Sequence, residues 1–561
     1  MASHLDGATL SKATEAILRR RAFDWPLLLF LFSVAWGLWS AYDRAAAWEK
    51  FWLIVGGLAL YVACVYAPER IRANGRDAVP PLCVVLSVFP TVVAVCFLLT
   101  NDWARWIGKL PWLDPAMRWF SAWQLMGGST LNPNVVGGII AAFLPLQVAA
   151  LRTEGRRHIW LGAFLMGISA VGLLMTATRG AWLSLAVVAG GWGLWKLSGW
   201  LVRRQAAGGQ RQMRFVIWVS MLIVVALIGI LILALSPWSA PLLAFVEADR
   251  LWIWRNSLDL ASDYAFTGLG LGNFEMAYAS YVLLTHVGHT FGAHNLFLDV
   301  WLEQGLLGLL AFGWLVGKAV GSNRSGSPWR SAALAALGVI LLHGLMDDAF
   351  YGYGGWGVLL LFVPLAMLNR SGVATTKSFP TPSAFRPTPV FWSTAALLTL
   401  AMVCIPNLRA AFQANLGALI QTRAELAVYR WPDWPIQDAL RRSPGVNLDS
   451  AIGHYRAALA LDPANVIAHR RLGQIELSRG QYKLARQHLA TAYAAAPGQR
   501  ATRQLLGECY AVAGELERAV ALWRTVDVSQ GQLMARQWWH EYLGEQEYAT
   551  RVAQAAAAAS R

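Results

Sequence analysis

Charge is scarce in this chain. Of 561 residues only 14 % are Asp, Glu, Lys or Arg and 56 % are hydrophobic, whereas a soluble domain carries roughly a quarter charged residues. That shortage excludes an ordinary soluble enzyme and implies an integral membrane protein. Acidic residues are the scarcer sign, 32 against 47 Lys and Arg, for a net charge of +15. The excess is basic, but it sits in short connections between apolar runs, where it sets membrane orientation; nucleic acid is therefore not an expected partner. Cysteine is nearly absent, with five in the chain, no CxxC pair, and Cys64, Cys83, Cys96 and Cys404 inside hydrophobic runs. Disulfides and thiolate metal sites are excluded on that spacing, and these cysteines, Cys509 included, read as small apolar residues. The apolar run that starts at Trp25 lacks a small-residue cleavage site, so it is expected to be retained as a first span behind a cytoplasmic N-terminus, 1–23.

What the chain does have is long apolar runs and 29 tryptophans, the residue that gathers at membrane–water interfaces. A helix needs roughly twenty apolar residues to cross the hydrocarbon core. Runs at about 24–41, 51–67, 80–100, 134–151, 158–177, 180–199, 214–236, 294–317, 331–346, 352–369 and 389–406 give about 11 spans. Arg and Lys cluster in every even-numbered connection, for example Arg70, Arg72 and Arg76 after the second run and Lys318, Arg324 and Arg330 after the eighth. The positive-inside rule then puts the long connection after the seventh run, 237–293, and everything beyond the eleventh on the outer, periplasmic side. Residues 101–133, with Trp103, Trp106, Trp112, Trp119 and Trp123, suit a helix lying in the interface. The expected fold is all-α: a polytopic transmembrane helix bundle over 24–406 with a large periplasmic loop, a linker over 407–448, and a C-terminal α-helical repeat domain over 449–561.

The repeat domain announces itself by period. Leu472-Gly473 recurs as Leu506-Gly507, Gly480 as Gly514, Pro463 as Pro497, and Ala451 as Ala485 and Ala519, each pair 34 residues apart. That is the length of a tetratricopeptide repeat, and small residues at these places let two helices of a hairpin approach closely. The stretch resembles tetratricopeptide repeats over about 449–527, with two fair copies and a preceding half. Such arrays present a concave surface for peptides or proteins, so a protein partner is expected there; capping of the membrane domain is the alternative. Nothing in the repeats looks catalytic.

Polar residues in and beside the spans are costly and so mark function. Arg179 stands in TATRGAWLSL, in a very short turn between the fifth and sixth runs. The long loop holds Arg250 in RLWIWRNSLDL with Trp254 one turn on, the turn-rich GLGLGNF, and His286, His289 and His294. His294 and Asn295 open HNLFLDVWLEQGLLGLLAF; Asn132 and Asn134 flank Pro133 in GGSTLNPNVVGG; His343, Asp347 and Asp348 lie in LLHGLMDDAF. Topology carries all of these to the same face of the membrane. Arginine offers an always-charged planar fork that fits phosphate oxygens, and two would suit a pyrophosphate, while a histidine can take a proton from an attacking hydroxyl. Each has a plain reading too: Arg179 as an interfacial anchor, Arg250 paired to Asp249 or Asp259, His294 as a helix-start residue, and the GLGLGNF glycines as a tight turn. The three loop histidines lack the spacing of a metal site, with no HExxH and no adjacent Cys.

Taken as an ordered set, NPN at 132–134, TRGAW at 178–182, R-x3-W at Arg250–Trp254 followed by GLGLGNF, and AHNLFLDVWLEQGLLG at 293–308 resemble the O-antigen ligase and polymerase superfamily of bacterial membrane glycosyltransferases. The resemblance covers roughly 120–350. It implies an inner-membrane enzyme that transfers glycan from an undecaprenyl-diphosphate carrier to a lipid, glycan or protein acceptor without metal or other cofactor. It assigns Arg179 and Arg250 to the diphosphate and catalysis to His294, with Asn132, Asn134, Trp254, Asn295, His289 and Asp347 as expected substrate-binding residues. An external repeat domain departs from the lipopolysaccharide ligases, so polysaccharide polymerase and protein O-oligosaccharyltransferase stay open alongside ligase. A transporter and a membrane-anchored assembly scaffold are the readings from other classes; intramembrane charges at one surface and no twofold repeat among the spans speak against the first.

Overall fold

The computed structural model describes residues 25–66, 81–108, 111–123, 131–153, 159–204, 216–221, 248–282, 290–321, 328–352, 356–370, 400, 404–429, 436–526 and 530–560. The N-terminal 1–23, most of the expected seventh and eleventh spans, the start of the long loop at 237–247, and His286 and His289 lie outside them. Among the described residues every regular element is helical. Four helices are long and apolar enough to cross a membrane: α2 (Arg44–Tyr66), α3 (Pro81–Thr100), α5 (Pro133–Thr153) and α10 (Leu296–Gly321). Shorter apolar helices are α1 (Trp25–Ser40), α6 (Ile159–Met175), α11 (Pro328–His343) and α12 (Gly357–Arg370), and α7 runs Arg179–Arg204. The membrane-like helical fold is thus present, with four such helices among the described residues.

Helix α5 is the axis of this bundle, packed on α3, α6, α7 and α11, while α12 packs on α2. Its sequence explains the position. Val136, Ile139, Ile140, Ala141, Ala142, Phe143 and Leu146 are all buried, a helix apolar nearly all round and therefore central. Close approach elsewhere uses missing side chains: a Cβ on Gly57 of α2 would stand 2.9 Å from the Phe362 ring of α12. The Trp-rich segment forms α4 (Asp114–Ala122); Met117 and Trp103 are buried while Trp112, Trp119 and Trp123 are exposed, the one-sided distribution of an interfacial helix.

The long loop contains α8 (Ala248–Asp263) and α9 (Phe274–Val282), and GLGLGNF joins them. Gly268, Gly270 and Gly272 all take positive φ (64°, 108°, 65°). That backbone lets the turn wedge between the end of α1 and a break in α10. On one side Leu271 N donates to Gly37 O at 3.1 Å, and the Asn273 Oδ1 accepts from Tyr42 and Asp43 N at 2.8 Å each. On the other, Leu269 N donates to Leu302 O at 2.7 Å and Leu306 N to Ala265 O at 2.8 Å. These bonds replace helical ones that α10 gives up at Gly305, whose φ is 70° and ψ −178°.

Beyond the bundle come α13 (Pro406–Val428), α14 (Gln437–Arg442) and α15 (Asp449–Leu461), then α16 (Val466–Ser478) with α17 (Tyr482–Ala495), α18 (Arg500–Val512) with α19 (Leu516–Trp523), and α20 (Gln530–Tyr542) with α21 (Gln546–Ala559). Within 407–448, expected as a linker, the described residues form α13 and α14: α13 packs on α15 as the first helix of a further hairpin, with Gly417 against the Tyr455 ring as Gly473 is against Leu489 and Gly507 against Trp523. The array is therefore longer than two copies and a half.

The break in α10 gives a direct test. A Cβ at Gly305 would stand 2.2 Å from Phe266 O, whereas at Gly313 of the same helix nothing lies within 4 Å. Gly305→Ala is expected to destabilise the protein by about 1–3 kcal/mol from the left-handed backbone alone, read as a lowered melting temperature in detergent, with Gly313→Ala near neutral.

Candidate active site

The start of α10 sets the first functional side chain. Asn295 is a helix N-cap: its Oδ1 accepts from Phe297 N (3.1 Å) and Leu298 N (3.2 Å) while its Nδ2 donates to Leu345 O (3.0 Å). His294, just before the cap, takes φ 50°, rare for a residue with a side chain and characteristic of functional strain. Two further bonds hold it there: Leu296 N to Gly344 O at 2.7 Å, and Trp254 Nε1 of α8 to the His294 carbonyl at 3.4 Å.

The imidazole Nδ1 faces Asp348 Oδ1 at 3.7 Å, with His294 about one third exposed at 34 % and Asp348 at 16 %. At that separation the two form an ion pair rather than a hydrogen bond. Contact with the Asp348 carboxylate raises the His294 pKa above its ordinary 6.5, outweighing burial, which lowers it. Asp348 in turn is held below the usual carboxylate value by His294 although burial pushes it up. Its position leaves no room nearby: a Cβ on Gly292 would meet Asp348 Oδ2 at 2.2 Å.

Asp347, next in line, gathers residues from two other elements. Its Oδ2 accepts from Asn134 Nδ2 of α5 at 2.9 Å and from Arg250 Nη2 of α8 at 3.2 Å. Burial, and after it the charge of Asp348, raise the Asp347 pKa. Arg250, for which Asp249 and Asp259 were the expected local partners, thus pairs across 97 residues with Asp347. Asn134 is linked onward to Thr178, whose Oγ1 donates to Pro133 O at 3.0 Å and lies 3.4 Å from Asn134 Oδ1. Arg179 follows Thr178 as the first residue of α7 and is half-buried; a Cβ on Gly180, its other neighbour, would lie 3.2 Å from His343 Nδ1. Both chain neighbours of Arg179 thus line the corner where Asn134, His343 and Asp347 meet.

The structure brings together His294, Arg250, Asn134, Asp347 and Trp254 in one contact network, with Arg179 at its edge. Asn132 and Asn295, both expected to bind substrate, serve as helix caps in the structure: Asn132 Oδ1 caps α5 by accepting from Asn134 N at 2.9 Å, as Asn295 caps α10. Asp348, the ion-pair partner of His294, stood among the polar residues beside the spans but was given no role in the site. One coordinating atom each of His294, Asp347 and Asp348 lies within 4.8 Å of the others, so a group able to hold a cation exists where spacing along the chain suggested none. In the structure, Arg250 and the imidazole face these carboxylates instead.

With that geometry in place, comparison with known families becomes informative. Residues 161–313 match the family model described as O-antigen ligase. That stretch of the chain is similar to the O-antigen ligase family. Residues 476–532 match the tetratricopeptide repeat model, and no curated protein and no solved structure matches the chain. The stretch matched to O-antigen ligase contains Arg179, Arg250, Trp254 and His294, whereas Asn134, Asp347 and Asp348 lie outside it. The site is thus finished by α5, which supplies the Asn134 amide, and by the turn after α11, which supplies the carboxylates facing Arg250 and His294.

The charge relation fixes the sign of a titration. Because its folded pKa is raised, His294 contributes stability that is fully present below about 6.5 and is lost as pH rises through the higher folded value. Asp348→Asn removes the carboxylate that stabilises the imidazolium. The expected outcome is a downward shift of the His294 pKa, measured by pH-dependent modification of that histidine.

Proposed function

We propose that this protein is an O-antigen ligase-like membrane glycosyltransferase that moves glycan from an undecaprenyl-diphosphate carrier to an acceptor hydroxyl at the periplasmic face. The observation that carries the reading is the meeting, inside a match to the O-antigen ligase model, of a strained histidine and an arginine from separate elements, each fixed by its own carboxylate.

In this reading the acceptor hydroxyl attacks the anomeric carbon, His294 takes its proton, and the bond to the carrier phosphate breaks with the electron pair leaving on the diphosphate. Nδ1 faces Asp348, so Nε2 is the nitrogen turned toward the acceptor. The carboxylate fixes ring orientation and stabilises the imidazolium as it forms. Arg250 and Arg179 neutralise the diphosphate as it departs. Asp347 and Asn134 hold the Arg250 fork in place beforehand, so that no reorganisation is needed when charge develops. A single displacement inverts the anomeric centre. The charge of the leaving group is met by guanidinium groups, which makes the reaction metal-independent in this proposal. Ligase, polymerase and protein O-oligosaccharyltransferase share this donor chemistry. The polar groups converge at one end of the helices and not midway along interrupted ones, which favours transfer over transport.

Two outcomes are expected. His294→Ala, Arg250→Ala and Arg179→Ala proteins, folded normally, should each lose transfer by about 10²–10⁴-fold and stop releasing free lipid diphosphate, measured with purified protein and carrier-linked glycan; full glycan assembly by all three would overturn the mechanism. A chelator of divalent cations should leave the rate of the intact protein unchanged, and loss restored by one added cation would assign the His294–Asp347–Asp348 group to metal.

A further inference from the structure

The first helices of successive repeats line the concave side of such an array. The glycines that end them here, Gly480, Gly514 and Gly544, share positive φ (79°, 82°, 75°) and set a common register. Counting back ten and six residues gives Arg470 and Gln474 on α16, Gln504 and Glu508 on α18, and Met534 and Trp538 on α20. At α16 and α18 the face where a peptide would lie is already occupied by this chain, while Met534 and Trp538 on α20 are exposed.

Asp263, the last residue of α8 and fully buried, is the focus. Its Oδ2 accepts from Arg471 Nε (2.9 Å) and Nη2 (2.7 Å), its Oδ1 from Arg470 Nη2 (2.5 Å). Next to it, Tyr264 OH bonds Thr422 of α13 and accepts from Arg471 Nη2 at 3.0 Å, and Asn415 Oδ1 takes Phe266 N (2.8 Å) and Thr267 N (3.1 Å). Arg500 stacks over the Trp252 ring at 5.5 Å, and Ala418 and Ala501 complete an apolar cluster with Leu260, Ala261, Phe274 and Tyr278. The rest of the groove takes α14, through Arg536 Nη1 on Asp438 at 2.6 Å and Arg441 Nη1 on Ser478 Oγ at 3.2 Å.

Helix α8 is a rod about 22 Å long at 1.5 Å per residue. One end is pinned by two arginines of the repeats, and the other carries Arg250 and Trp254 to Asp347 and His294. We propose that the concave face of the repeats takes the chain's own loop as its ligand and, through Asp263, sets the position of Arg250 and Trp254 over the site. Asp263 is a positioning residue, and the repeats are part of the machinery that aligns it. The catalytic consequence rests on the transferase reading above; the mechanical one does not.

The test uses the full chain in detergent, with the exposed Cys96 and Cys404 replaced by Ala and spin labels placed in pairs at exposed positions. Leu251 on α8 with Trp160 on α6 reports the rod against the bundle; Leu484 with Met534 reports the array itself. Asp263→Asn should broaden the Leu251–Trp160 distance distribution and leave Leu484–Met534 narrow, and transfer should fall about 10- to 100-fold as kcat rather than KM. Asp263→Glu keeps the charge on a longer arm; it should shift the first distance with partial activity, and it decides the matter if the Asn variant unfolds the array. Unchanged Leu251–Trp160 distances in a variant with its array intact overturn the proposal. Expected distances with no glycan transfer by the unsubstituted protein would instead leave the clamp standing and remove the transferase reading.

Discussion

A single carboxylate organises the candidate site. Asp347 is buried at the turn after α11, where an unpaired charge would be costly, and it is satisfied only if Asn134 comes from α5 and Arg250 from α8. Those two donors belong to parts of the chain that have no other reason to meet, one in the bundle and one in the long loop. The neighbouring Asp348 does the same for His294. Because the two carboxylates are adjacent in the chain, the arginine and the histidine are set side by side by one peptide unit, and the spacing of the guanidinium from the imidazole follows from that adjacency.

The network also shows how the stretch similar to the O-antigen ligase family depends on its surroundings. Arg250 and His294 lie within the matched stretch, while Asn134, Asp347 and Asp348, which complete their network, lie upstream and downstream of it. A buried ion pair is weak evidence of net stability but strongly penalises loss of one partner. Asp347 and Asp263 therefore act less as sources of stability than as registration marks, penalising any arrangement in which α8 sits elsewhere.

Much of this was legible from residues alone, for physical reasons that differ by element. The repeats showed because Ala and Gly recur wherever helices pack closely, so the period is written locally. His294, Arg250 and Arg179 stood out because polar groups beside apolar runs are expensive. The partners did not, since 97 residues separate Arg250 from Asp347 and no local pattern encodes that pairing. The capping roles of Asn132 and Asn295 were not legible, because a capping asparagine and a ligand-binding one look alike in sequence. Helix α13 was taken for linker because its inward face is polar: Asn415, Gln421 and Glu425 are buried and bond to Thr267, Tyr455 and Arg441, which erases the apolar periodicity. The number of spans rested on hydropathy alone, and an apolar run does not fix how much of it becomes a long helix.

The interruption of α10 at Gly305 divides that helix unequally. The short segment before it carries the cap at Asn295 and abuts the site, and the longer apolar segment after it runs on to Gly321. Lipid bilayers vary in thickness, and a spanning helix answers by tilting. A continuous helix would pass that tilt straight to His294. With the rod cut at Gly305, a residue before the break and one after it are both tied to the loop, Leu302 O by Leu269 N and Leu306 N by Ala265 O. A tilt of the lipid-facing segment therefore meets that wedge before it reaches His294.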